Sequence, residues 1–236
     1  MIKKEKDGGE KVENIIEILN VNWRKNLRYH AAGAILFCLL MPFFFDINGL
    51  DEISAAKVLE VYVIFLGIIC FVPVFLPDQD LAIRNLLDTK RMSAGIVCLI
   101  RFFQSLFLML LLEAAVLLLF KWRGGIFPFW KYFAGTAAGM IFLGGMGMLI
   151  FSVSNAMPLA YMIPMLYYVI NMGNGKKYLG KWYLNSMSAG SFTEKWYLFF
   201  TGILFILLSL LFRTYAGKMN IQIARKKKIS PKSLKL

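Results

Sequence analysis

Apolar residues gather in six runs, at about Leu27 to Phe45, Val58 to Leu76, Ser93 to Phe120, Tyr132 to Val153, Met157 to Asn171 and Trp196 to Phe212, with polar, glycine-rich or charged stretches between them. A helix needs about 20 apolar residues to cross a hydrocarbon core ~30 Å thick. The pattern predicts an all-α polytopic membrane protein with six transmembrane helices. The fifth run is the weakest, because it is short and carries Pro158 and Pro164.

Two segments outside these runs have a helical period of their own. Val12, Ile15, Ile16, Leu19 and Trp23 recur every three or four residues, with Glu13, Glu17, Asn20 and Arg24 on other faces. This reads as an amphipathic helix lying in the membrane interface; a solvated helix packing on a partner is the alternative. After the second run comes PDQDLAIRNLLDTKRMS, Pro77 to Ser93. Pro77 ends the preceding helix, Asp78 can cap a new one with Asp80 in its first turn, and Lys90 and Arg91 suit its C-terminal dipole. Ile83, Leu86 and Leu87 form one narrow apolar face, fit either for a groove on another protein or for lying back on the membrane. The boundaries expected are residues 1–26 for the N-terminus with its interfacial helix, 27–213 for the membrane domain and 214–236 for a basic tail.

Composition narrows the choice. The 236 residues are 58% hydrophobic and 17% charged, with a mean hydropathy of +0.61. Six spans use roughly 120 residues, which leaves no room for a large catalytic domain outside the membrane. A net charge of +13 would suggest nucleic acid in a soluble domain. Here the cations lie at the two ends and in loops beside apolar runs, where they act as topology signals and touch lipid headgroups. With both termini cytoplasmic, Lys and Arg divide 18 inside against 8 outside, counting Lys195 among the outer ones. That bias places both ends in the cytoplasm. Trp23, Trp122, Trp130, Trp182 and Trp196 all fall at span ends, as interfacial rings should. The N-terminus is polar before any apolar run, so the first span is expected to act as its own signal.

Catalytic parts are scarce. His30 is the single histidine, so histidine-based metal or nucleophile constellations have no candidates. Cys38, Cys70 and Cys98 lack paired spacing and are expected as thiols. GKKYLGK, from Gly175 to Lys181, has the glycines and lysine of a phosphate-binding loop, but Trp182 stands where Ser or Thr should hold magnesium, and no strand precedes it. Arg101 and Glu113 lie twelve residues apart in the third run, about 18 Å along a helix, and cannot pair with each other. Arg101 is placed near the cytoplasmic headgroups. Glu113, taken as the one acid well inside a span, is a candidate for a substrate path or an interhelical contact, or else a structural carboxyl. Gly135 and Gly139 form a GxxxG for close helix packing, within one subunit or between two. Residues 173–195 are too polar to span and too aromatic for a plain linker. They form either a short helical excursion in the outer interface or an exposed loop.

An interfacial helix, six spans, a charged helix in the first cytoplasmic loop and a semi-polar excursion before the last span together resemble the permease subunits of type-2 ATP-binding-cassette exporters. PDQDLAIRNLLDTKRMS followed by Arg101 is similar to the proline, acidic, Ile-Arg and Lys-x-Ser pattern of small permeases of this group from Gram-positive bacteria, and GKWYLNSMS, from Gly180 to Ser188, is similar to their outer loop. The resemblance implies a multi-pass subunit of the bacterial cell membrane that pairs with a second permease subunit and docks on a cytosolic ATPase. It assigns Asp80, Ile83, Arg84, Leu86, Leu87 and Asp88 to the coupling helix. ATP and Mg would be held by the ATPase, this chain binding no cofactor and exporting a substrate with no catalytic motif of its own. The rival readings are the substrate-capturing subunit of an energy-coupling-factor vitamin importer, a membrane enzyme, and a non-transporting immunity or scaffold protein.

Overall fold

The computed structural model describes residues 15–79, 94–173 and 175–229; among them the chain is all-helical. Among the described residues four helices are long and apolar enough to cross a membrane, Glu52–Pro77, Gly95–Trp122, Phe129–Ser154 and Thr193–Thr214, and two shorter apolar ones are Arg28–Phe44 and Met157–Met172. The set is compatible with a multi-pass membrane protein. Each of the five tryptophans is exposed on the bundle surface.

The chain opens with helix α1, residues 15–22, which passes through a π turn, Trp23–Leu27, into α2, Arg28–Phe44. Asn22 (φ −63°, ψ −42°) and Leu27 (φ −66°, ψ −33°) keep the backbone helical throughout. The described part of the amphipathic segment is therefore continuous, through the π turn, with the first apolar helix. No Gly or Pro lies between 15 and 28 to interrupt it, and two buried asparagines fasten it inward. The Asn22 amide donates to Gln104 Oε1 at 2.7 Å, and the Asn26 amide donates to the Pro73 carbonyl at 3.3 Å.

The second apolar run is helical but segmented. It comprises α3, Glu52–Val61, a 3-10 turn, Val63–Phe65, α4, Leu66–Phe71, and a 3-10 stretch, Val72–Gln79. Asp51 caps α3, its carboxylate accepting the Ser54 N–H at 3.3 Å. The bonds to Ser54 hold its pKa below the usual carboxylate value. At Tyr62 (φ −116°, ψ −58°) the α ladder breaks, and the Val61 carbonyl accepts the Tyr168 hydroxyl at 2.8 Å instead. A freed carbonyl in an apolar interior costs about 1–3 kcal/mol if left bare. Tyr168→Phe is accordingly expected to lower stability by about 1–2 kcal/mol, measured by thermal or detergent unfolding. Pro73 and Pro77 lack the N–H that an α helix would use, which accounts for the 3-10 tail.

Helix α5 is Ala94–Trp122, and α6, Phe129–Ser154, is the central strut. Asn155, in the left-handed region at φ +53°, ends α6, a conformation asparagine tolerates better than most residues. Helix α7, Met157–Met172, begins with Pro158 in its first turn, where the missing N–H costs nothing. Helix α8, Gly175–Leu179, and a 3-10 turn, Gly180–Trp182, precede α9, Thr193–Ile229, which runs well past the span end expected at Phe212.

The connecting segments gather at two ends. At one, loops 45–51 and 123–128 are joined by the Gly49 N–H to the Arg123 carbonyl at 3.0 Å and the Ile126 N–H to the Leu50 carbonyl at 2.9 Å. At the other, Arg213 of α9 donates to Asn155 Oδ1 at 3.2 Å and to the Phe75 carbonyl at 3.5 Å. Between them, glycines let backbones touch. A Cβ on Gly67 would lie 2.1 Å from the Met140 carbonyl oxygen, one on Gly144 2.5 Å from the Gly67 oxygen, and one on Gly145 2.8 Å from the Gly202 oxygen. Small residues supply such contacts where lipid gives helices no hydrophobic drive to associate.

Candidate functional site

The polar centre of the described protein lies beneath residues 175–192, the segment ahead of the last long helix. Glu60, in the last turn of α3, is 1% exposed, and Lys195, in the first turn of α9, is 4% exposed. Their side chains meet at 2.7 Å, Lys195 Nζ to Glu60 Oε1. Glu60 also accepts two backbone bonds, from the Met187 N–H to Oε1 at 2.7 Å and from the Ser188 N–H to Oε2 at 2.9 Å. Lys195 Nζ donates onward to the Leu184 carbonyl at 2.5 Å. The segment is thus wrapped around an ion pair contributed by two helices.

A third helix closes the network. Asn171, near the end of α7, accepts the Leu184 N–H at 2.9 Å and donates to Asn185 Oδ1 at 2.9 Å. The Ser188 hydroxyl donates to the Asn185 carbonyl at 3.0 Å. Leu184, Asn185, Ser186 and Met187 are all buried, so this stretch is pressed into the bundle and its polar groups need these partners. Ser191 and Glu194, bonded through their side chains, stand at the S-x-x-E spacing of a helix start and let α9 begin with Lys195 turned inward. Upstream, the Trp182 carbonyl accepts the Tyr167 hydroxyl at 2.6 Å, and its indole N–H donates to Thr201 Oγ1 at 3.1 Å.

With both carboxylate oxygens engaged and the ammonium bonded twice, the pair is built to hold rather than to react. Removing one partner would leave a charge in a dry interior, which is far costlier than the pair itself. Among the described residues no group of three or more His, Cys, Asp or Glu is placed to hold a metal. No disulfide joins Cys38, Cys70 and Cys98.

The residues singled out from the sequence are scattered. Asp80, Ile83, Arg84, Leu86, Leu87 and Asp88 lie outside the described residues. Arg101, in the second turn of α5, is 7% exposed and packed inside the protein. Glu113 is fully buried against α6, its carboxyl beside the Ala137 backbone but with neither oxygen in a hydrogen bond of normal geometry; the Ala137 amide already serves the helix. Gly139 faces Ile64 and Gly135 faces the Met187 sulfur, so this pair packs on other parts of the same chain, against side chains. The excursion is helical at its start and folded against the bundle.

Glu60, Lys195, Asn171 and Asn185 were missed, and two expectations change with them. Glu113 is not the one acid well inside an apolar helix, since the second apolar helix begins at Glu52 rather than Val58 and holds Glu60 as well. Lys195 is not a loop cation, since it is buried on that acid. The usable signal was an ionisable residue inside a span, which demands a partner. Comparison with known proteins supplies no relative: no family model, no curated protein and no solved structure matches the chain.

Proposed function

We propose that the chain is the membrane-spanning permease subunit of an ATP-binding-cassette exporter, with six spans, both termini in the cytoplasm of a bacterium, a second permease subunit as partner and the ATP hydrolysed by a separate cytosolic ATPase. The observation that carries this reading is the attachment of the Val72–Gln79 stretch, which leads directly into the charged segment proposed to dock. Its carbonyls are held by two other helices, Pro73 by Asn26 of the π turn and Phe75 by Arg213 of α9. Arg213 also reaches Asn155 in the turn between α6 and α7. A push on residues 80–93 would therefore be felt by the first, second and last apolar helices together. Energy supplied from outside the membrane needs such a handle, because the two arrangements of a packed bundle exchange as units rather than by continuous deformation. The folded segment at the opposite end, fastened to α3, α7 and α9, supports the same reading by supplying a closed far side.

In this scheme Asp80, Ile83, Arg84, Leu86, Leu87 and Asp88 form the docking surface, with Leu86 and Leu87 as its apolar anchors. Changing both leucines to Asp is expected to abolish co-purification with the cytosolic ATPase proposed as its partner, recognised by a GxxxxGK[ST] loop, while membrane insertion is unchanged. Undiminished capture of that ATPase by the double variant would defeat the assignment.

A further inference from the structure

We propose that the exposed half of the 175–192 segment, residues 176–182, is a binding surface for the headgroups of anionic phospholipids. The segment has two halves of opposite character. Residues 184–187 are buried, whereas Lys176, Lys177, Tyr178, Lys181 and Trp182 are exposed. Three ammonium groups thus crowd one short outward stretch. Lys177 Nζ lies 5.9 Å from the Tyr178 ring centroid and Lys181 Nζ lies 5.2 Å from that of Tyr197. Glu194 is bonded to Ser191 and within electrostatic reach of Lys176, one acid against three lysines, so the surface keeps an excess of positive charge.

The depth of this surface follows from its fastenings. Trp182 is pinned between α7 and α9, through Tyr167 and Thr201, and Thr201 lies six residues beyond Lys195, about 9 Å along the helix. Around it the flanks of α7 and α9 expose Val169, Ile170, Phe200 and Leu204, an apolar belt suited to acyl chains. An indole at the edge of such a belt with ammonium groups beside it matches the headgroup layer, where Trp and Tyr prefer to sit and lysines meet phosphate. The occupant is a lipid phosphate carrying net negative charge, because a zwitterionic headgroup brings its own cation to an already cationic surface.

The test reads Trp182 directly. The full-length chain with Trp23, Trp122, Trp130 and Trp196 changed to Phe, all exposed positions, is reconstituted in phosphatidylcholine vesicles containing brominated phosphatidylglycerol or brominated phosphatidylcholine at equal fraction. Quenching of Trp182 is expected to give a relative association constant for phosphatidylglycerol of at least about fivefold, falling as salt is raised. Lys176→Gln, Lys177→Gln and Lys181→Gln together should bring the ratio to near one. The matched change of Lys57, Lys121 and Arg123, exposed cations outside this segment, should leave it intact. A ratio near one in the starting chain, a ratio indifferent to the three lysines, or an equal loss in the matched variant would each overturn the proposal.

Discussion

Glu60→Gln is expected to destabilise the protein by about 3–5 kcal/mol and to release residues 183–192 from the bundle. The amide that replaces the carboxylate can accept one of the Met187 and Ser188 N–H groups, but its own NH2 then faces a second donor, and Lys195 is left charged and buried without its counter-ion. Lys195→Met is expected to cost less, because Glu60 keeps two backbone donors. Met at both positions removes the charges together and leaves mainly the two backbone amides unsatisfied, at about 1–3 kcal/mol each. The double variant should therefore be clearly less damaged than the sum of the single changes. Unfolding in detergent gives the energies, and amide exchange at Met187 and Ser188 gives the local release. Additive single effects would mean that the pair is not coupled in solution.

Gly67→Ala should cost at least about 3 kcal/mol, beyond the usual range of an overpacked core. All three of the nearest atoms that its new methyl would meet belong to the Met140 backbone, so no side-chain rotation relieves the clash and α4 has to move off α6. Gly139→Ala is expected to be milder, since the obstacle is the end of the Ile64 side chain at 2.5 Å, which can turn away. Gly33→Ala is the control. Nothing lies within 4 Å of its Cβ position, and a helical position gains about 0.5–1 kcal/mol from the smaller backbone entropy loss. The ranking Gly67, Gly139, Gly33 in melting temperature checks the packing directly. Equal effects at Gly67 and Gly33 would contradict the close crossing of α4 and α6.

The contrast between these glycines shows how far spacing can be read. Gly135 and Gly139 stand out by their four-residue interval, yet the closest backbone approaches between helices involve Gly67, Gly144, Gly145 and Gly202. An interval shows that two small residues share a face of one helix. It does not say which neighbour will press against that face, and Gly67 pairs with residues more than seventy positions away.

The chain by itself determined the class of structure, because a bilayer tolerates only backbone that satisfies its own hydrogen bonds, and long apolar runs can do so only as helices. It also set the apolar stretches and the helix starts at Asp51 and Pro158, all of which depend on neighbours in sequence. The tertiary structure alone decided that Lys195 turns inward, that Glu60 receives it, that Asn171 braces the segment between them, and that the second apolar helix breaks where Tyr168 can cover a carbonyl. Each of those outcomes concerns the partner of a polar group in a dry interior, and partners such as Lys195 for Glu60 or Tyr168 for Val61, distant in sequence, are supplied by the packing of helices, which no local pattern records.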